Sequence, residues 1–97
     1  MTYADAINSA NVVLVEFFAS WCPHCQRMMP IVAEVKKILG NRAEVIQLDI
    51  DQNQEAANEA DVEGVPTFIL YKGGKEMWRQ SGEMPGDEIV KHVESAL

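Results

Sequence analysis

Seven consecutive residues, Val12 to Phe18 (VVLVEFF), carry a single polar side chain, Glu16, and no alternation of apolar with polar. A strand with one wet face alternates, whereas an unbroken β-branched and aromatic run belongs to a strand covered on both faces. This run therefore calls for a sheet with helices on either side. The rest of the chain supplies them. Residues 3–9 read as a short amphipathic helix. A long helix follows from Pro23 to Leu39, with Met28, Ile31, Val32, Val35, Ile38 and Leu39 at helical spacing as its buried face. Proline is well tolerated at the first position of such a helix; Pro30 lies inside it and Gly40-Asn41 stops it.

Residues 44–50 (EVIQLDI) form a second strand, and Asp51 caps a polar helix over 52–60. Residues 67–71 (TFILY) and 75–80 are strands joined by a hairpin turn at Lys72-Gly73-Gly74. Pro85 opens the last helix, with Ile89, Val90, Val93 and Leu97 facing inward. Both β-α-β connections are expected to give parallel strand pairs with right-handed crossovers, and the hairpin adds antiparallel pairing. The expected fold is α/β: a single domain over 1–97 built on one mixed four-stranded sheet with helices on both faces.

The formal charge of −7 argues against nucleic acid as a partner, because phosphates require clustered Lys and Arg. The imbalance sits in the middle of the chain. Residues 43–71 hold Glu44, Asp49, Asp51, Glu55, Glu59, Asp61 and Glu63 and no basic residue, as a solvated helix face would. No apolar run approaches the roughly 18 residues that cross a bilayer, so no membrane role is expected. The first residues lack a basic start followed by a long apolar stretch, which makes a cytoplasmic location the default and a mature periplasmic domain the alternative. A monomer is expected.

Two cysteines are too few for a disulfide scaffold, and a bridge across two intervening residues staples almost nothing. The pair is chemical or metal-binding. Trp21-Cys22-Pro23-His24-Cys25 lies between the buried strand and the start of the long helix. There, unpaired backbone N–H groups and the positive dipole end favour an anion, and a thiolate at Cys22 is that anion and the nucleophile. Cys25, one turn deeper, can displace a partner held on Cys22 as a mixed disulfide. His24 adds a positive charge that should lower the Cys22 pKa further. A structural zinc site needs four ligands, and the chain has two Cys and two His, with His92 far away in the last helix. Metal and further cofactors are therefore not expected. A module holding a soft metal such as Cu(I) on the cysteine pair, and glutathione-dependent exchange, are the alternatives.

The sequence resembles the thioredoxin family over nearly its whole length. The landmarks are Phe17, Ala19, Trp21, Cys22, Cys25, Pro30, Asp49, Asp51, Gly64, Val65-Pro66-Thr67, Gly74 and Gly82. The resemblance implies a thioredoxin fold, a cis-proline at Pro66 beside the active site, and dithiol–disulfide exchange with protein substrates. A reductase using a nicotinamide cofactor would recycle the pair in the cytoplasm, and a membrane-bound oxidase would do so after export. There are departures. Pro23-His24 replaces the usual Gly-Pro and is similar to periplasmic disulfide oxidases; Glu16 stands for a buried Asp; Gln47 stands for a Lys; and the chain starts too late for the family's first strand.

Glu16 has nowhere exposed to point in a doubly covered strand. It is expected to accept the Cys25 proton during resolution, with its own pKa raised by desolvation; the alternative is a structural acid paired with a nearby Lys. Val65, Pro66 and Thr67, with Trp21 as a partly exposed lid and Pro23, are expected to meet the substrate, Val65 by β-addition. An imidazolium beside the thiolate should make the pair more oxidising than a Gly-Pro thioredoxin.

Overall fold

β1 (Val12–Phe18) is buried along all but its last residue, as its apolar run requires. It lies inside the sheet, with β2 (Glu44–Asp49) on one side and β3 (Thr67–Lys72) on the other. β4 (Lys75–Ser81) completes the order β2-β1-β3-β4. The computed structural model describes residues 2–97.

The alternation of β1 divides the core. Val12 and Leu14 pack with Met28, Val32, Val35 and Leu39 of α2 (Pro23–Leu39) and with Ile89, Val90 and Val93 of α4 (Gly86–Ser95). Val13, Val15 and Phe17 face the other way, against Tyr3 and Ile7 of α1 (Tyr3–Ile7) and Ala56 and Ala57 of α3 (Gln54–Glu59). Helices thus cover both faces of a four-stranded mixed sheet, as expected from the sequence.

One pairing differs. β1 and β2 are parallel, but β3 runs antiparallel to β1 and is not a neighbour of β2. The expectation of two parallel β-α-β units fails at the second. The six residues of α3 rise only about 9 Å, whereas a strand of that length runs about 20 Å. The short helix covers less than half that length, and the chain makes no return: β3 enters at the end of the sheet where β2 leaves and runs the other way.

Smaller corrections follow from packing and capping. α1 ends at Ile7, earlier than the expected 9, and α3 is shorter than 52–60. Asn53 rather than Asp51 occupies the N-cap of α3. Pro85 is the N-cap of α4 rather than its first residue. The buried stripe of α2 is Cys25, Met28, Val32, Val35 and Leu39, a strict three–four spacing. Ile38 lies off that stripe and is exposed, as is Met29, and Ile31 is half-buried. Leu97 follows the end of α4 and is exposed rather than inward. At the hairpin Gly73 and Gly74 have φ of 58° and 79°, the paired left-handed conformation of a tight two-residue turn.

Candidate active site

The end of β1 and the start of α2 bring the two cysteines together. Cys22 is the extended N-cap of α2, with Pro23 exposed at the first helical position. Cys25 lies on the inward stripe of the same helix, which is why it is 1% exposed against 6% for Cys22. Both are free thiols in a small cluster with Ala19, bordered by Phe18, Ile50 and Val65.

The two sulfurs sit in opposite electrostatic settings. The Cys22 thiol makes no capping hydrogen bond and donates weakly to the Val65 carbonyl at 3.8 Å. When it ionises, the backbone N–H of Cys25 chiefly, then the Cys25 thiol, the N–H of His24 and the Arg27 charge, hold its pKa below the ordinary thiol value. Burial pushes Cys25 up to about 11, with the neighbouring Cys22 and Glu16 adding to the rise, although the Ala19 N–H donates to its sulfur at 3.5 Å and opposes it.

Glu16 is 0% exposed, on the side of β1 that carries α2. Gln47, opposite it on β2, donates from Nε2 to Glu16 Oε1 at 3.0 Å. Glu16 Oε2 has no hydrogen-bond partner among the described residues. Desolvation raises its pKa, and the Gln47 bond opposes that only in part. The alternative of a Lys partner is not realised: an amide takes that place.

A groove borders Cys22, lined among others by Trp21, Ile50, Ala57, Val62, Gly64 and Val65. Trp21 is 64% exposed. Its indole N–H donates to Asp51 Oδ2 at 2.9 Å, and the Asp51 N–H in turn donates to Asp49 Oδ1 at 2.9 Å. Asp51 thus orients the indole instead of capping α3. The Val65–Pro66 peptide is cis and Pro66 is buried, its carbonyl accepting the Gly82 N–H at 2.8 Å. Thr67 differs from its expected role. It is 1% exposed, and its hydroxyl donates to the Gly64 carbonyl at 2.6 Å and lies 2.8 Å from that of Ser81. Its side chain braces the loop and is closed to a substrate.

His24 corrects another expectation. Its Nδ1 lies 2.7 Å from Glu83 Oε2, and the same oxygen accepts from Arg27 Nε at 3.0 Å and Nη2 at 2.7 Å. The charge expected to act on Cys22 is shared with a carboxylate. Neither Arg27 nor Glu83 emerges from the sequence reading: Arg27 is one of four bases near the N-terminal half, and Glu83 is 56 positions from it. The only signal is that Arg27 falls three residues after His24, hence on the same helix face.

The described residues include no group of three or more His, Cys, Asp and Glu placed to hold a metal ion, and no helix among them is long and apolar enough to cross a membrane. Comparison with known proteins agrees with the site. The family model Thioredoxin matches residues 1–95. The chain is 40% identical over 89 residues to a chloroplastic thioredoxin Y of Oryza sativa subsp. japonica, covering 92% of this chain and 53% of that one. It therefore spans about half the length of the plant relatives it matches. It is 39% identical over 80 residues to a bifunctional thioredoxin reductase/thioredoxin of Mycobacterium leprae, covering 82% of this chain and 18% of that protein. Among solved structures, a mutant thioredoxin from Halobacterium salinarum NRC-1 superposes with a TM-score of 0.86 at 32% identity, covering 96% of this chain and 80% of that one. Fold, cysteine pair, cis-proline and family match coincide, and the chain belongs to the thioredoxin family.

Proposed function

We propose that this protein is a thiol–disulfide oxidoreductase acting on disulfides of protein partners through Cys22 and Cys25. The observation that carries this reading is the inequality of the two sulfurs: Cys22 is favoured as thiolate at a helix start, while Cys25 is held protonated behind it. The Cys22 thiolate attacks one sulfur of a partner disulfide, joins it, and expels the other sulfur as a thiolate. Cys25 then loses its proton, with Glu16 as the acceptor, and attacks the Cys22 sulfur. The Cys22–Cys25 disulfide forms and the partner leaves reduced by two electrons. Because the electrons reside on sulfur, no cofactor is required.

Trp21 and Val65 line the groove at Cys22 and support a substrate role there; Pro23, exposed beside Cys22, is proposed to join them, with buried Pro66 shaping the loop behind Val65. The Val65 carbonyl, already facing Cys22 Sγ, is placed to accept an N–H from an extended segment. The thioredoxin reductase joined to thioredoxin in the Mycobacterium leprae relative supports a reductase as the recycling partner. The test is insulin reduction driven by dithiothreitol. The wild type should accelerate precipitation of the insulin chains, and Cys22→Ser should abolish the effect. An inactive wild type that binds Cu(I) or zinc tightly and stoichiometrically would replace this reading with the metal-binding one. Activity that demands glutathione would replace it with glutathione-dependent exchange.

A further inference from the structure

The first turns of α2 carry His24 and Arg27 within five residues of the nucleophilic sulfur, and the Arg27 charge acts on it. Both are engaged by one carboxylate from the loop between β4 and α4. Glu83 Oε2 accepts Arg27 Nη2 and Nε at 2.7 and 3.0 Å and lies 2.7 Å from His24 Nδ1. Arg27 Nη2 and His24 Nδ1 are themselves 2.9 Å apart, so the three side chains form one closed cluster. The loop that presents Glu83 is fixed beside the site, since the preceding Gly82 donates its N–H to the Pro66 carbonyl at 2.8 Å. The Cys22 thiol makes no hydrogen bond to the side chain of either; it donates to the Val65 carbonyl.

We infer that Glu83 is the positioning residue that limits how strongly this dithiol oxidises, by neutralising the Arg27 guanidinium near the Cys22 sulfur. The inference rests on the proposed exchange chemistry. A thiolate stabilised by nearby positive charge favours the reduced pair and makes the disulfide a stronger oxidant. A carboxylate hydrogen-bonded to the Arg27 guanidinium cancels much of the field that guanidinium would otherwise exert. The cancellation holds over the working pH range, because Arg27 first and His24 next hold the Glu83 carboxyl down to about 2. The groups acting on Glu83 are Arg27 and His24, and Arg27 acts on Cys22 in the thiolate-favouring direction. This offsets the oxidising push expected from Pro23-His24.

The test measures two quantities on Glu83→Gln: the Cys22 pKa, from thiolate absorbance against pH, and the redox equilibrium with glutathione. At low salt the variant should have a lower Cys22 pKa and an equilibrium shifted about threefold or more toward the reduced pair, about 15 mV more oxidising. The shift should shrink as salt screens the exposed charges. In an Arg27→Met/His24→Leu background, Glu83→Gln should have much less effect, as a mutant cycle isolates the coupling. An unchanged pKa and equilibrium in Glu83→Gln would overturn the inference. So would an undiminished shift in the background lacking both side chains, which would make Glu83 a direct repeller of the thiolate. The pKa readout needs no turnover, so inactivity toward insulin would count against the exchange reading alone.

Discussion

Glu16 Oε1 accepts a 3.0 Å hydrogen bond from Gln47 Nε2, while Glu16 Oε2 is buried with no partner among the described residues. A carboxyl half satisfied in this way is costly as an anion and cheap as an acid. Its pKa is raised by desolvation above the unfolded value. The stability this group contributes is therefore full below the unfolded pKa, falls as pH rises, and is lost once pH passes the folded pKa. Glu16→Gln should remove that slope. Denaturant unfolding between about pH 5 and 8 should show the variant gaining on the wild type, by roughly 1–3 kcal/mol at the upper end, the cost of an unsatisfied buried polar group. Parallel pH profiles for the two proteins would assign the titration to another group.

The same carboxyl should act in turnover. Cys25 is held protonated, and its attack on Cys22 needs a proton acceptor. Glu16→Gln should leave formation of the mixed disulfide intact and slow its resolution near neutral pH by about 10²-fold, the low end of general-base contributions. Rapid-quench measurement of the mixed disulfide separates the two steps. Unchanged resolution would make Glu16 a structural acid only.

Alkylation should distinguish the sulfurs. With limiting iodoacetamide the reduced protein should be labelled first at Cys22, with a rate that levels off below the pH at which a free thiol ionises. Cys25 should resist until the pH approaches about 11. Peptide mapping reads the order. First labelling at Cys25 would reverse the roles.

Gly74 tests the frame that holds the site. Its φ is +79°, and a Cβ there would run into the side-chain amide of Asn8. Gly74→Ala should destabilise the protein by roughly 1–2 kcal/mol through the left-handed backbone alone. For a domain of this size that is a fall in Tm of about 4–16 °C. An unchanged Tm would show that the turn relaxes to another conformation.

Much of the site is legible in the sequence because it depends on local rules. The apolar run around Glu16 specifies a doubly covered strand, and the position of Cys22 before Pro23 marks a helix start. Cys25 also falls at the three–four spacing of Met28, Val32, Val35 and Leu39, so its burial follows from the helix period. What escaped depends on distant partners. The direction of β3 is fixed by its pairing with β1, 50 or more positions away in sequence, and α3 is shorter than its polar run suggests. The Trp21–Asp51 and Arg27–Glu83 contacts join residues 30 and 56 positions apart, beyond the reach of any periodicity. Thr67 reads as a substrate contact from its place beside Pro66, yet β3 is covered along its first five residues and the Thr67 hydroxyl is engaged with Gly64 and Ser81.

In the proposed exchange Cys22 attacks the partner and Cys25 releases it. The most direct measurement is capture by Cys25→Ser. Mixed with a protein disulfide at neutral pH, this variant should accumulate a stable one-to-one mixed disulfide, mapped by mass spectrometry to Cys22. Cys22→Ser under the same conditions should capture nothing. Capture by Cys22→Ser through Cys25, with none by Cys25→Ser, would contradict the account.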